Sequence, residues 1–427
     1  MLSACRPEGL VLDVLGLSAG AARGCAGRRD GANGACRGTG SALVALVVLL
    51  VALTGCGGRP AADSARADVQ RLLDRRAAAV LDRDGRAFER TGSAADFARL
   101  RSVPVAAWSY RVTALHRTGD TATADAELRY RVAGYDRAPV TTGRTLRLRR
   151  DADGRWAVTA DRPAKKSAQQ LWDQGMVQLV RGHHSLVLGA GQSGQSLRDF
   201  ADLADRAVPA VSDAWGTDWS RRVVVLVPKS VEGMAGLLGS PASSYRGIAA
   251  VTTGETGPRD RAPADRIIVN PDAFALLGGL GEQVVVTHET THVATRARTT
   301  AATPLWLSEG YADWVGYRAA GRTPAEAAPE LARAVREGRV PTALPDDEDF
   351  GFTGDASRLA RSYESGWTAC RLIADRWGEA RLGAFYRAVG EHRERAGAVE
   401  DAMRKELGTT PGAFTQEWQT YLRDQLS

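Results

Sequence analysis

Val284-Val285-Val286-Thr287-His288-Glu289-Thr290-Thr291-His292 is the stretch on which the reading of this 427-residue chain turns. Two histidines four residues apart lie on one face of a helix, one turn from each other. Both imidazoles can then reach a single ion at roughly 2.0–2.1 Å. Glu289, one step round the helix, stands beside the position such an ion leaves open, where a carboxylate can take a proton from water. The valine run predicts that the first half of the helix is buried. A helix with two surface histidines would carry the same letters, so the reading needs a third ligand.

Downstream stands Pro304-Leu305-Trp306-Leu307-Ser308-Glu309-Gly310-Tyr311-Ala312-Asp313-Trp314. Pro304 suits a helix start, where its missing N–H costs nothing. Glu309 falls among core residues, and an acid there asks for a partner such as a metal ion. Asp313 lies one turn beyond Glu309, placed to accept the ring N–H of a ligand histidine.

His-Glu-x-x-His, a loop, and a second helix bearing Trp-Leu-x-Glu-Gly together resemble the gluzincin clan of thermolysin-like and aminopeptidase-like metallopeptidases. The resemblance covers about 170–427, with its motifs concentrated in 281–314. It implies one Zn2+ held by His288, His292 and Glu309, with Glu289 as general base and Asp313 supporting a ligand histidine. It also implies an oxyanion donor on a later helix, for which Tyr363 is the candidate. Tyr363 equally fits a tyrosine packing an amphipathic helix with Leu359, Trp367 and Cys370, and its neighbour Glu364 reads as solvated. An edge strand that pairs with substrate backbone is implied as well. Gly247-Ile248-Ala249-Ala250-Val251-Thr252 is assigned to it, and an ordinary core strand fits those letters too. Arg266–Asn270 would be the next strand. The implied activity is zinc-dependent hydrolysis of a peptide or protein substrate. The absence of a Gly-x-Met-x-Asn motif before the histidine helix argues against an aminopeptidase. Two other readings stay open: hydrolysis of a non-peptide amide, and a non-enzymatic lipoprotein that uses the scaffold for binding.

Further upstream the hydrophobic period changes. A helix is expected over Asp68–Arg86 and a shorter one over Ala94–Leu100. Alternating runs follow at Trp108–Leu115, Ala122–Val132, Val140–Arg150 and Arg155–Ala160, with Thr118-Gly119-Asp120 as a turn. Helices followed by an antiparallel meander predict an α+β domain over 65–163, in an order that resembles the NTF2-like fold. Arg162–Gln170 reads as a linker. The second domain, 170–427, is expected to hold a strand within Val177–Leu188, a helix over Ser196–Trp215, a strand over Arg222–Pro228, and a mostly helical second half. The fold class is therefore α+β in two domains.

The N-terminus carries an address. Ala42 to Leu53 is an apolar run of 12 residues, too short to span a bilayer as a helix. It follows Arg28, Arg29 and Arg37 and precedes Leu53-Thr54-Gly55-Cys56, which resembles a bacterial lipobox. Residues 1–55 are expected to be a signal peptide, Cys56 the lipidated residue and 56–64 a tether. The mature chain would then sit at the outer face of the cytoplasmic membrane. The formal charge is +6, but basic residues are interleaved with acids and no basic run carries aromatics, which excludes a nucleic-acid role. The five cysteines match no zinc-ribbon or redox spacing, and Cys370 reads as a buried thiol. His183-His184 lack ligand spacing and read as surface residues.

Overall fold

The computed structural model describes residues 60–254, 262–351 and 356–427. The expected signal segment 1–55 and Cys56 lie outside them. The protein is mixed α+β. Among the described residues no helix is long and apolar enough to cross a membrane.

In the N-terminal part a helix, Pro60–Leu81, packs on a four-stranded antiparallel sheet. Its strands β1 (Val105–Thr118), β2 (Thr121–Val132), β3 (Val140–Arg150) and β4 (Trp156–Pro163) are neighbours in chain order. The period of two explains the layer. Ala122, Ala124, Ala126, Leu128, Tyr130 and Val132 are all buried beneath the helix side, while the residues between them are more exposed. Residues 60–64, expected to be a tether, instead form the first turns of the helix. Proline is well suited to that first position. The helix also stops at Leu81 rather than Arg86. Arg83 turns left-handed at φ 56°, and the Asp84 carboxylate accepts the Ala87 N–H at 2.9 Å to start a new short helix, Gly85–Glu89.

A five-stranded sheet follows, from β5 (Val177–Arg181), β6 (Ser185–Ala190), β7 (Val223–Val227), β8 (Ala250–Thr253) and β9 (Arg266–Val269), in the order β5-β6-β7-β9-β8. The stretch 177–190 thus holds two antiparallel strands where one was expected. β6, β7 and β9 run parallel, and the two edge strands are antiparallel to their neighbours. β7 reads Val-Val-Val-Leu-Val without alternation because both its faces are covered. Leu186, Leu188 and Val224 join the core of the N-terminal part, against Trp108, Tyr130 and Trp172. Val187, Val223 and Val225 face the helices Gly194–Trp215 and Gly279–Thr295.

The sheet is therefore a middle layer shared by both parts. Arg266 spans the junction to Asp136 at 2.8 Å. The segment Arg162–Gln170, expected to be a linker, is tied down at both ends. Ala164 N–H bonds the Gly143 carbonyl at 2.9 Å, and Gln169 N–H the Gly236 carbonyl at 2.8 Å. After β9 the chain is helical. Two of its helices, Leu305–Tyr317 and Ala356–Trp377, cross in direct backbone contact. A Cβ on Gly310 would lie 2.2 Å from the Gly366 carbonyl oxygen.

A buried His-His-Glu site

The histidine helix, Gly279–Thr295, is buried at every position from Val284 to Thr295. A helix covered on all sides must satisfy its polar side chains locally. Thr287 donates to the Gln283 carbonyl at 2.7 Å, and Thr291 to the Thr287 carbonyl at 2.8 Å. The histidines are left to face the Leu305–Tyr317 helix, which brings Glu309 and Asp313.

Three ligand atoms converge there. His288 Nε2 is 3.0 Å from His292 Nε2 and 3.2 Å from Glu309 Oε2, and His292 Nε2 is 3.4 Å from the same oxygen. Four-coordinate zinc with bonds of about 2.0–2.1 Å places its ligand atoms about 3.3 Å apart, so this triangle has the edge lengths of one face of such a site. The three residues are 1%, 5% and 1% exposed, which removes water as their partner. Asp313 Oδ1 lies 2.7 Å from His288 Nδ1. A carboxylate there holds the proton on Nδ1 and leaves the Nε2 lone pair facing Glu309 and His292. Lone pairs and a carboxylate pressed together in a dry interior repel unless a cation lies between them. His2Glu is also a donor set of catalytic zinc sites. The residues present fit the metal.

Glu289 is 1% exposed, one residue beyond His288. The Thr252 hydroxyl reaches its Oε2 at 2.6 Å and its backbone carbonyl at 3.0 Å. This partner on β8 was not singled out from the sequence. Nothing distinguishes Thr252 from the apolar residues around it until the strand is docked on the helix. The strand expected to pair with substrate needs correction at its start. Gly247 lies in a turn, Ile248 and Ala249 are buried but precede the strand, and β8 begins at Ala250. The chain upstream turns through a short 3₁₀ helix, Ala242–Tyr245, whose last carbonyl accepts the Asn270 side-chain N–H at 2.7 Å, while the Asn270 backbone N–H adds one bond from the strand's end to the Ala249 carbonyl at 2.8 Å. β8 is one of the two edge strands of the sheet, with Ala250, Val251 and Thr252 all buried.

Tyr363 lies on the Ala356–Trp377 helix, buried, with its ring edge-on to Phe350 at 5.1 Å. Its neighbour Glu364 was expected in solvent and is instead buried. Its carboxylate accepts the N–H groups of Leu331 at 2.5 Å and Glu330 at 3.2 Å, at the start of the helix Pro329–Arg336. Burial pushes its pKa up to about 8, although those two N–H groups pull the other way. Cys370 is fully buried. His183 and His184 are not buried, and their backbone N–H groups bind Asp205.

No family model matches the chain, and no curated protein matches it. Similar solved structures include native yeast LTA4 hydrolase, at 14% identity and a TM-score of 0.36, over 64% of this chain and 43% of that one. Another is an M1 zinc metallopeptidase from Deinococcus radiodurans, at 14% identity and a TM-score of 0.30, over 76% of this chain and 62% of that one. The chain spans less than two thirds of either. At such scores these likenesses assign no role to any residue.

Proposed function

We propose that this chain is a zinc-dependent peptidase, tethered by a lipid on Cys56 to the outer face of the cytoplasmic membrane. The observation that carries the catalytic half is the buried triangle of His288, His292 and Glu309, with Asp313 behind His288. The apolar run and Leu-Thr-Gly-Cys sequence at 42–56 support the anchor. The N-terminal part is read as an NTF2-like spacer or recruiter, on the strength of its helix-then-meander order.

Bound zinc supplies a Lewis acid that polarises a carbonyl and acidifies water. Asp313 fixes the tautomer of His288 and so aims its Nε2. Glu289 takes the proton from the attacking water and returns it to the leaving amine. Thr252 holds the Glu289 carboxylate in one orientation, which a base must keep to accept and release a proton along one path. Tyr363 is the assigned oxyanion donor. It stands one turn before Gly366, where its helix crosses the one carrying Glu309. Substrate backbone is assigned to the β8 edge.

Metal analysis with a peptide-cleavage assay tests the reading. One zinc per chain is expected, lost in His288→Ala and Glu309→Ala. Glu289→Gln should keep the zinc and lose hydrolysis by about 10²–10⁴-fold. A Glu289→Gln protein that cleaves peptides at the wild-type rate would falsify the mechanism.

A further inference from the structure

A cavity of about 230 Å³ lies where the two parts of the molecule meet. Its walls come from both. Tyr130, Val140 and Trp172 line it on one side, and Leu226, Leu237 and Ile268 on the other. An apolar cavity of about 150 Å³ stays dry and takes up benzene, so this one has room for roughly two fused rings. The full charge in its wall, Arg266, is already held by Asp136 through Nη2, at 2.8 and 2.9 Å, with Nη1 on the Ala264 carbonyl at 2.6 Å. Among the described lining residues the uncharged polar side chains are Gln169, Thr253 and the pair of Tyr130 and Gln170, whose hydroxyl and amide oxygen lie 2.5 Å apart.

We propose that this cavity is a binding site for an uncharged, largely apolar molecule of about two fused rings, with one hydroxyl or carbonyl directed at Tyr130 and Gln170. Among the described lining residues the one charged side chain, Arg266, is already paired with Asp136, which argues for a neutral ligand. The site has a connection to the other face of the sheet. Thr253 and Gly254 of the β8 segment line the cavity, while the adjacent Thr252 holds Glu289.

The probe is 2-naphthol, titrated into the whole soluble chain and followed by calorimetry. Saturable binding of about one probe per chain is expected, weakened at least tenfold by Val140→Phe and by Leu237→Phe, each of which fills the cavity from a different wall. Hydrogen exchange of the wild-type protein with and without probe locates the site even if a variant does not fold. Slowed exchange is expected in peptides covering 250–254 and 128–140. Absence of saturable binding up to the solubility limit overturns the proposal. So does binding that both folded variants retain, or exchange left unchanged in those peptides. No readout depends on zinc or on hydrolysis, so failure of the peptidase reading would leave this test intact.

Discussion

Among the described residues, a buried cluster of charged side chains in each part of the molecule is balanced by different chemistry. Beneath the N-terminal sheet Arg144, 2% exposed, bonds Asp161 at 2.7 Å and Asp173 at 2.8 Å. Nearby Arg76 bonds Asp96 at 3.0 Å. A guanidinium is always charged and fits a carboxylate through two parallel bonds. In the second part Glu309 and Asp313 gather around two imidazoles, and the buried Glu289 follows His288 in the chain. An imidazole can surrender its charge and present a lone pair instead. The first arrangement balances its charges within the chain and serves as a clasp. The second turns two imidazoles and a carboxylate toward one point, which is what a metal site needs and a clasp does not.

The largest effect expected from this contrast is on stability. Arg144→Met leaves the largely covered Asp161 and Asp173 without their cation. It should cost about 3–5 kcal/mol in denaturant unfolding while the folded protein still binds one zinc. A loss of zinc stoichiometry in the folded variant would show that the two clusters are not independent.

A third buried acid sharpens the comparison. Glu364 is met by a helix N-terminus rather than by arginine or imidazole. Its pKa in the folded chain, about 8, lies above its unfolded value of 4.5. The folded state therefore holds this proton more tightly. The stabilisation is fully present below pH 4.5 and is lost as pH rises through 8, by an amount on the order of 4–5 kcal/mol. Melting curves of wild type and Glu364→Gln should diverge across pH 5–8, with the variant flatter. Parallel curves would mean that the helix terminus alone sets this carboxyl's charge.

The smallest effect tests whether Asp313 belongs with the metal. Asp313→Asn keeps the shape but removes the charge behind His288. Zinc affinity should fall about 10–100-fold, measured by competition with a chelator. An unchanged affinity would make Asp313 a packing partner of the histidine helix.

Much of this was legible in the letters, because some signals are local. Alternation at Ala122–Val132 marks a half-buried strand, and four-residue spacing marks one face of the histidine helix. Glu309 stood out because an acid among Trp306, Leu307, Tyr311 and Trp314 needs an explanation. Other features depend on who the neighbours are. The same valine run that hides alternation in β7 could have been a buried helix. Glu364 looked solvated because its partners are N–H groups of a helix more than thirty residues away, and a backbone donor leaves no mark in sequence. Thr252 became a partner of Glu289 only through the docking of β8, and β8 starts later than expected because a 3₁₀ helix, Ala242–Tyr245, precedes it, with its last carbonyl bonded to Asn270.

The crossing at Gly310 and Gly366 has a consequence for how finely the ligand set can be adjusted. Glu309 is bonded directly to a residue whose backbone touches another backbone, with no side chain in the gap. Side chains absorb small errors by changing rotamer; two main chains in contact have no such adjustment. The distance between these helices is set by the polypeptide itself, like a bearing machined without a shim. Alanine at either glycine would push Glu309 away from both histidines at once, although neither glycine offers an atom to the metal.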